Sequence, residues 1–260
     1  GKTIIEIGDL YSDNYFQKFN NLNILNPLKY IYLLESFLIK NTEKKIFYNF
    51  DKIILFSKNE VKKINPFFKK KINLFDECVD VVNKKYKFSK NNCRILFVGN
   101  LDYLPNFLAC RDFIKKDLPV LKKKIPGIKF TIIGNVNKFK KFLLSSKPEV
   151  EVLGFKKDIS KYVKNAICGL ANLKIATGIQ VKVLTYMSYG LPVICSKKVS
   201  KNFGSNVLNF NNNNELHKII YELKSNKIKS NKFSQKSLKY SKSLNWKKIS
   251  LKYLKLINYK

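Results

Sequence analysis

The chain has 260 residues, a formal net charge of +33 at pH 7 and 45% hydrophobic residues. A chain of that length buries about three quarters of its unfolded surface, so it needs no staple, and no apolar run reaches the length of a membrane span. Five scattered cysteines without a C-x-x-C pair, and His217 as the only histidine, exclude a disulfide framework, a zinc site and a histidine-based triad; they suit a reducing, cytoplasmic compartment.

The charge invites a nucleic-acid reading, but the composition opposes it. Arg94 and Arg111 are the only arginines, and the remaining basic residues are lysines spread along the chain. Arginine is the side chain suited to base and phosphate forks, so no specific nucleic-acid partner is expected. Attraction to an anionic membrane surface is expected instead, at about 1 kcal/mol per nearby lysine.

In chain order, Thr3–Ile7 reads as a strand, and the entry into it directly after Gly1 predicts a further segment upstream. Ser12 and Asp13 open a helix, and Leu28–Ile46 carries a second one. Lys52–Phe56 is a buried strand, and Ser57 with Glu60 three residues later matches a capping box. Strand, helices, strand, helix is the pattern of a partial parallel α/β domain over 1–75. Residues 76–92, within a lysine-rich and strand-poor stretch from Asn65, read as a linker.

A second pattern fills 93–240. Arg94–Val98, Lys129–Ile133, Val150–Leu153 and Cys168–Ala171 are strands. Between them lie helices at Asn106–Lys124 (bent at Pro119), Phe139–Leu144 and Asp158–Lys164, the alternation of a Rossmann-like parallel sheet. Gly99, Gly134 and Gly154 at the strand ends fit either close approach to a ligand or plain turns. Asn209–Asn214 reads as a loop and Glu215–Leu223 as a helix. Lys224–Lys236 reads as flexible or weakly helical. The region 241–260 holds a closing helix with Trp246, Ile249, Tyr253 and Leu256.

The richest stretch is Gly178–Ile194. Val181, Leu184 and Ser188 fall on one helical stripe, Gly190 sits where a left-handed cap belongs, and Pro192 stops the helix before a strand at Val193–Cys195. Gly178, Lys182 and Thr185 share a face near the helix N-terminus, where unpaired amides and the lysine charge make an anion seat. The same spacing also suits an ordinary α/β helix with a solvated lysine.

Three blocks, Ile95–Asn106, Val152–Asp158 and Gly178–Ile194, resemble the donor half of retaining GT-B glycosyltransferases of family 4. The motif at 243–249 is similar to that group's tail helix, and Gly8–Ser12 with Lys52–Glu60 looks like the last third of the acceptor domain. The resemblance implies an α/β, GT-B-like fold, with one complete Rossmann-like donor domain preceded by a partial Rossmann-like acceptor domain. It also implies sugar transfer from a nucleotide-sugar donor to a glycan or lipid-linked acceptor in polysaccharide assembly. No metal or other cofactor is implied, and the place of action is the cytoplasm or the inner membrane face. Gly99, Asn100, Gly178, Ile179, Gln180 and Lys182 would hold the donor diphosphate, with Thr185, Gly154 and Phe155 on the ribose and base side. No catalytic residue is assigned. The group's paired glutamates fall on Thr177 and Thr185, its diphosphate-binding arginine and lysine on Asn100 and Pro105, and its acceptor-side glycine loop and histidine upstream of Gly1. Those departures keep open a second expectation, a non-catalytic nucleotide-sugar-binding or partner subunit.

Overall fold

The structure is a computed structural model that describes residues 2–80, 82, 86–244 and 246–257. Parts of the expected linker at 76–92 and tail at 241–260, including Asn245 of the closing motif, lie outside the described residues. The chain divides into two units. One comprises Gly1–Glu77, Lys174–Gln180 and the residues from Leu251 on; the other comprises Cys78–Leu173 and Val181–Ser250.

The N-terminal unit is built on three parallel strands, β1 (Ile4–Glu6), β2 (Lys52–Leu55) and β3 (Ile72–Leu74), in the order β1-β2-β3. Two helices, α1 (Tyr11–Asn21) and α2 (Leu28–Asn49), pack on each other between β1 and β2. Ile53, Leu55, Phe47, Ile64 and Phe68 form the core beneath them. β3 was not foreseen: its three residues are preceded by a 3-10 turn at Pro66–Lys71 and are only half-buried, so no apolar run announces it.

The capping box is also corrected. α3 (Lys58–Val61) has Ser57 at its N-cap without a side-chain capping bond, and the Glu60 carboxylate accepts from Leu10 and Gly178 N–H instead. Turned this way, Glu60 Oε1 satisfies two buried backbone donors, where a capping box would satisfy one amide at the helix end.

The C-terminal unit is a six-stranded, wholly parallel sheet of β4 (Arg94–Val98), β5 (Lys129–Ile133), β6 (Val150–Val152), β7 (Ala166–Ala171), β8 (Val193–Ser196) and β9 (Leu208–Phe210), in the order β6-β5-β4-β7-β8-β9. The chain starts at β4, builds outward through β5 to β6, then returns to the other side of β4 with β7. The gap between β4 and β7 is therefore the topological switch point, where open α/β sheets bind ligands at the carboxyl edge. All six residues of β7 are buried, as expected of a strand covered on both faces.

Helices cover the sheet: α4 (Leu104–Asp112), α5 (Leu118–Lys124), α6 (Lys138–Leu144), α7 (Ser160–Val163), α8 (Val181–Ser188), α9 (Lys197–Ser200), α10 (Asn213–Ser225) and α11 (Lys227–Ser243). The bend expected at Pro119 is a π-helical turn, Phe113–Asp117, between α4 and α5. Proline has no N–H to return to the preceding turn, and widening that turn absorbs the loss.

One expectation fails in this unit: part of the loop read at Asn209–Asn214 belongs to β9. Of the two readings left open after Lys224 the helical one holds, as the seventeen-residue α11. Its inner stripe is Ser230, Ser234, Ser237 and Ser241, all buried, at helical spacing. Asn226 caps it by accepting from Lys229 N–H. Ser237 and Ser241 donate to the carbonyls of Leu191 and Met187 at 3.0 and 3.3 Å. Serine is small enough to bring α11 against α8 and satisfies its hydroxyl on the backbone there.

The closing helix α12 spans Trp246–Ile257. Its Tyr253 ring lies 4.4 Å from Phe75, and its hydroxyl donates to Glu6 Oε2 at 2.5 Å. Among the described residues no helix is long and apolar enough to cross a membrane.

Candidate functional site

In the C-terminal unit, α8 starts at Val181, so Lys182 stands in its first turn. The side chain is 9% exposed. Its Nζ hydrogen-bonds Asn106 Oδ1 at 2.5 Å and lies 4.1 Å from the centre of the Phe97 ring. A methyl group on Gly99 would fall 3.1 Å from it. The amine therefore sits at the carboxyl end of β4, beside the switch point. Among the described residues it has no carboxylate counter-ion. Burial pulls its pKa down to about 8, against the opposing pull of the Cys110 and Cys195 thiols. It is still largely protonated at neutral pH. A buried cation held by an amide oxygen and a ring face keeps its full charge and has capacity left for an anion.

Asn106, which the sequence reading passed over, organises this corner. Its Nδ2 donates to the Asn100 carbonyl at 2.8 Å while its Oδ1 takes the lysine. Asn100 Oδ1 in turn accepts from Asp102 N–H at 2.9 Å, which shapes the loop after β4. The available signal was a polar residue in the first turn of a helix that otherwise faces inward; Asn106 is 6% exposed. Gly99 and Asn100 thus stand with Lys182.

The other candidates in this unit lie further along the edge. Thr185 is half-buried and donates its hydroxyl back to the Val181 carbonyl at 3.0 Å. Gly154 and Phe155 follow β6, two strands out from β4, with Phe155 exposed.

Gly178, Ile179 and Gln180 group with the N-terminal unit, whereas Lys182 belongs to the other. Gly178 has φ +57°, and a Cβ there would overlap Asp9 Oδ1, so glycine is required twice over. Its N–H is donated to Glu60 Oε1 at 3.0 Å. Thr177 donates to Asp9 Oδ2 at 3.3 Å and accepts from Asn14 Nδ2 at 3.0 Å. Gln180 folds its amide onto the Thr177 carbonyl.

The result is a buried glutamate beside a half-buried aspartate. Glu60 is 2% exposed, its Oε1 accepts from both Leu10 and Gly178 N–H, and its Oε2 has no hydrogen-bond partner among the described residues. Burial, and after it the Asp9 charge, push Glu60 up to about 7, while burial raises Asp9 as well. A carboxyl that titrates near neutrality is suited to carrying a proton at Oε2. Among the described residues no group of three or more His, Cys, Asp and Glu side chains forms a metal nest.

Known proteins share this architecture. HepE of Anabaena, solved with UDP and glucose, superposes with a TM-score of 0.72 at 13% identity, covering 100% of this chain and 72% of its own. TarM of S. aureus gives 0.67 at 16% identity over 84% of this chain and 46% of its own. At such low identity the superpositions show a common GT-B fold. A Klebsiella pneumoniae protein described as an uncharacterized 44.6 kDa protein in the cps region is 37% identical over 124 residues, 46% of this chain and 30% of that protein. The chain thus spans under half the length of TarM and of the Klebsiella protein. Residues 92–224, just over half of the chain, match the family model described as glycosyl transferases group 1, and the chain belongs to that family.

Proposed function

We propose that this chain is the donor-binding part, with some of the acceptor side, of a glycosyltransferase that moves a sugar from a nucleotide-sugar donor to a glycan or lipid-linked acceptor in polysaccharide assembly. The observation that carries this reading is the Lys182 ammonium: buried at the switch point, without a carboxylate partner among the described residues, and beside the glycine loop of β4. Negative charge develops on the leaving nucleotide diphosphate as the sugar–oxygen bond breaks. A preorganised cation in a site of low dielectric stabilises that charge more than the substrate's own.

The family resemblance assigns Gly99, Asn100, Gly178, Ile179, Gln180 and Lys182 to the donor diphosphate, and Thr185, Gly154 and Phe155 to the ribose and base. The reaction needs no resident cofactor and retains anomeric configuration, as the family resemblance implies. Membership of the group 1 family, a relative named for a cps region and a fold neighbour solved with UDP all support the reading. The lysine excess fits work at the anionic inner face of a membrane.

A second reading, a nucleotide-sugar-binding subunit without turnover, is favoured by Thr177 and Thr185 at the positions where the resemblance expects glutamates. Calorimetric titration with UDP, and release of sugar from UDP-sugars, test the pair. Saturable UDP binding that Lys182→Ala removes supports the donor site, and sugar release then separates enzyme from binder. UDP affinity unchanged in Lys182→Ala refutes both.

A further inference from the structure

The N-terminal unit carries a groove of about 560 Å³, within the size range of small-molecule sites. Its walls are the first turns of α1, one face of α2 from Ser36 to Phe47, and the loop after α3. Its floor is apolar: Leu10, Phe47, Ile64 and Phe68 are all buried, and the Phe47 and Phe68 rings lie 5.5 Å apart. At the mouth, Phe16 and Phe37 stand 45% and 59% exposed.

The polar lining divides into groups already satisfied and groups that are not. Glu43 takes both the N–H and the hydroxyl of Ser12, Ser36 donates to the Ser12 carbonyl, and Asp13 pairs with Lys63 at 2.6 Å. Lys40 and Lys44 stand one turn apart on α2, both lining the groove. Among the described residues neither meets a carboxylate or a hydrogen-bond acceptor. The groove therefore presents an apolar trough with two unneutralised ammonium groups at one side.

We infer that this groove binds an amphiphile with one hydrocarbon chain and a phosphate or diphosphate head, the chain lying on Phe16, Phe37, Phe47 and Phe68 and the head on Lys40 and Lys44. The match is one of chemistry: phosphate oxygens meet the two cations, and the chain covers the exposed Phe16 and Phe37 rings above the buried floor. Within the proposed transfer reaction this molecule is the lipid-linked acceptor, a role that rests on that reading. The binding itself does not.

The test is calorimetry of the whole chain with monomeric farnesyl phosphate, with farnesol and with inorganic phosphate, UDP being titrated in parallel. The expected result is saturable binding of farnesyl phosphate that exceeds both fragments. The Lys40→Gln/Lys44→Gln double variant should weaken it by at least about ten-fold, since contacts to charged groups are lost, and leave farnesol unchanged. Phe37→Asp should weaken both, and Lys45→Gln, on α2 but not lining the groove, should change neither. Equal affinity in the double variant overturns the inference. So does association only with phosphatidylglycerol vesicles, which would assign the lysines to a membrane surface. Retained UDP binding beside absent farnesyl phosphate binding sinks the groove alone; lost UDP binding sinks the donor reading alone.

Discussion

Replacing Lys182 by methionine separates a ligand-binding lysine from a structural one. Methionine keeps the length and apolar stem of the side chain and removes the ammonium. The fall of the Lys182 pKa from 10.5 to about 8 means that at pH 7 the folded chain carries this charge at a disadvantage of about 3 kcal/mol relative to the unfolded chain. For a base with a lowered pKa, that penalty is fully present below about pH 8 and fades as pH rises toward 10.5. Against it stands the lost bond to Asn106 Oδ1, which leaves a buried acceptor unpaired at a cost of about 1–3 kcal/mol.

The methionine variant should therefore match or exceed the wild type at pH 7, by up to about 2 kcal/mol. Its advantage should shrink as pH rises from 8 to 10. Urea denaturation at pH 7 and pH 10 reads the difference, and UDP calorimetry on the same samples should show binding abolished. Stability held or gained together with binding lost is the behaviour of a residue kept for a ligand. A variant several kcal/mol less stable at pH 7 that still binds UDP would refute the reasoning and make the amine a packing element.

The buried acid gives the opposite pH signature. Because Glu60 is raised to about 7 in the folded state, its contribution is complete below about pH 4.5 and is lost as pH climbs through 7; Glu60→Gln should abolish a decline of about 3 kcal/mol between pH 5 and 9, and parallel denaturation curves for the two proteins would contradict this. Gly178→Ala should lower stability by at least about 1–2 kcal/mol from backbone conformation alone, with the Asp9 clash added, so an unshifted melting temperature would show that loop to be misplaced. Ser237→Leu should destabilise by about 1–3 kcal/mol by forcing α11 off α8, read as a lower urea midpoint. Thr185→Glu should tighten UDP binding by about ten-fold if Thr185 faces the ribose, since a charged acceptor replaces a neutral one. Weaker binding in calorimetry would put Thr185 elsewhere.

Much of the fold was legible because parallel sheets advertise themselves. β4, β5 and β7 are apolar runs buried on both faces, and their spacing leaves room for crossovers. α8 was equally clear, bounded by Gly190, which adopts φ +70°, and Pro192 beyond it. The elements that escaped lack an apolar signature. β3 and β9 are three-residue strands that become strands only by pairing with β2 and β8. α11 hides its inner face in serines, and only the stripe's spacing could have revealed it.

The candidate site divides along the same line. Composition, cysteine scatter and hydrophobic period by themselves determined a chain without staples, an α/β fold, and the placing of Lys182 in the first turn of α8, because these depend on local pattern and residue chemistry. What tertiary structure decided is whom each polar group meets. Asn106 reaches Lys182 across 76 positions of sequence, and Glu60 reaches Gly178 across 118, in place of capping its own helix. A buried ammonium and a buried carboxyl accept whichever partners the closed core leaves within about 3 Å, and desolvation makes those contacts outweigh any local preference.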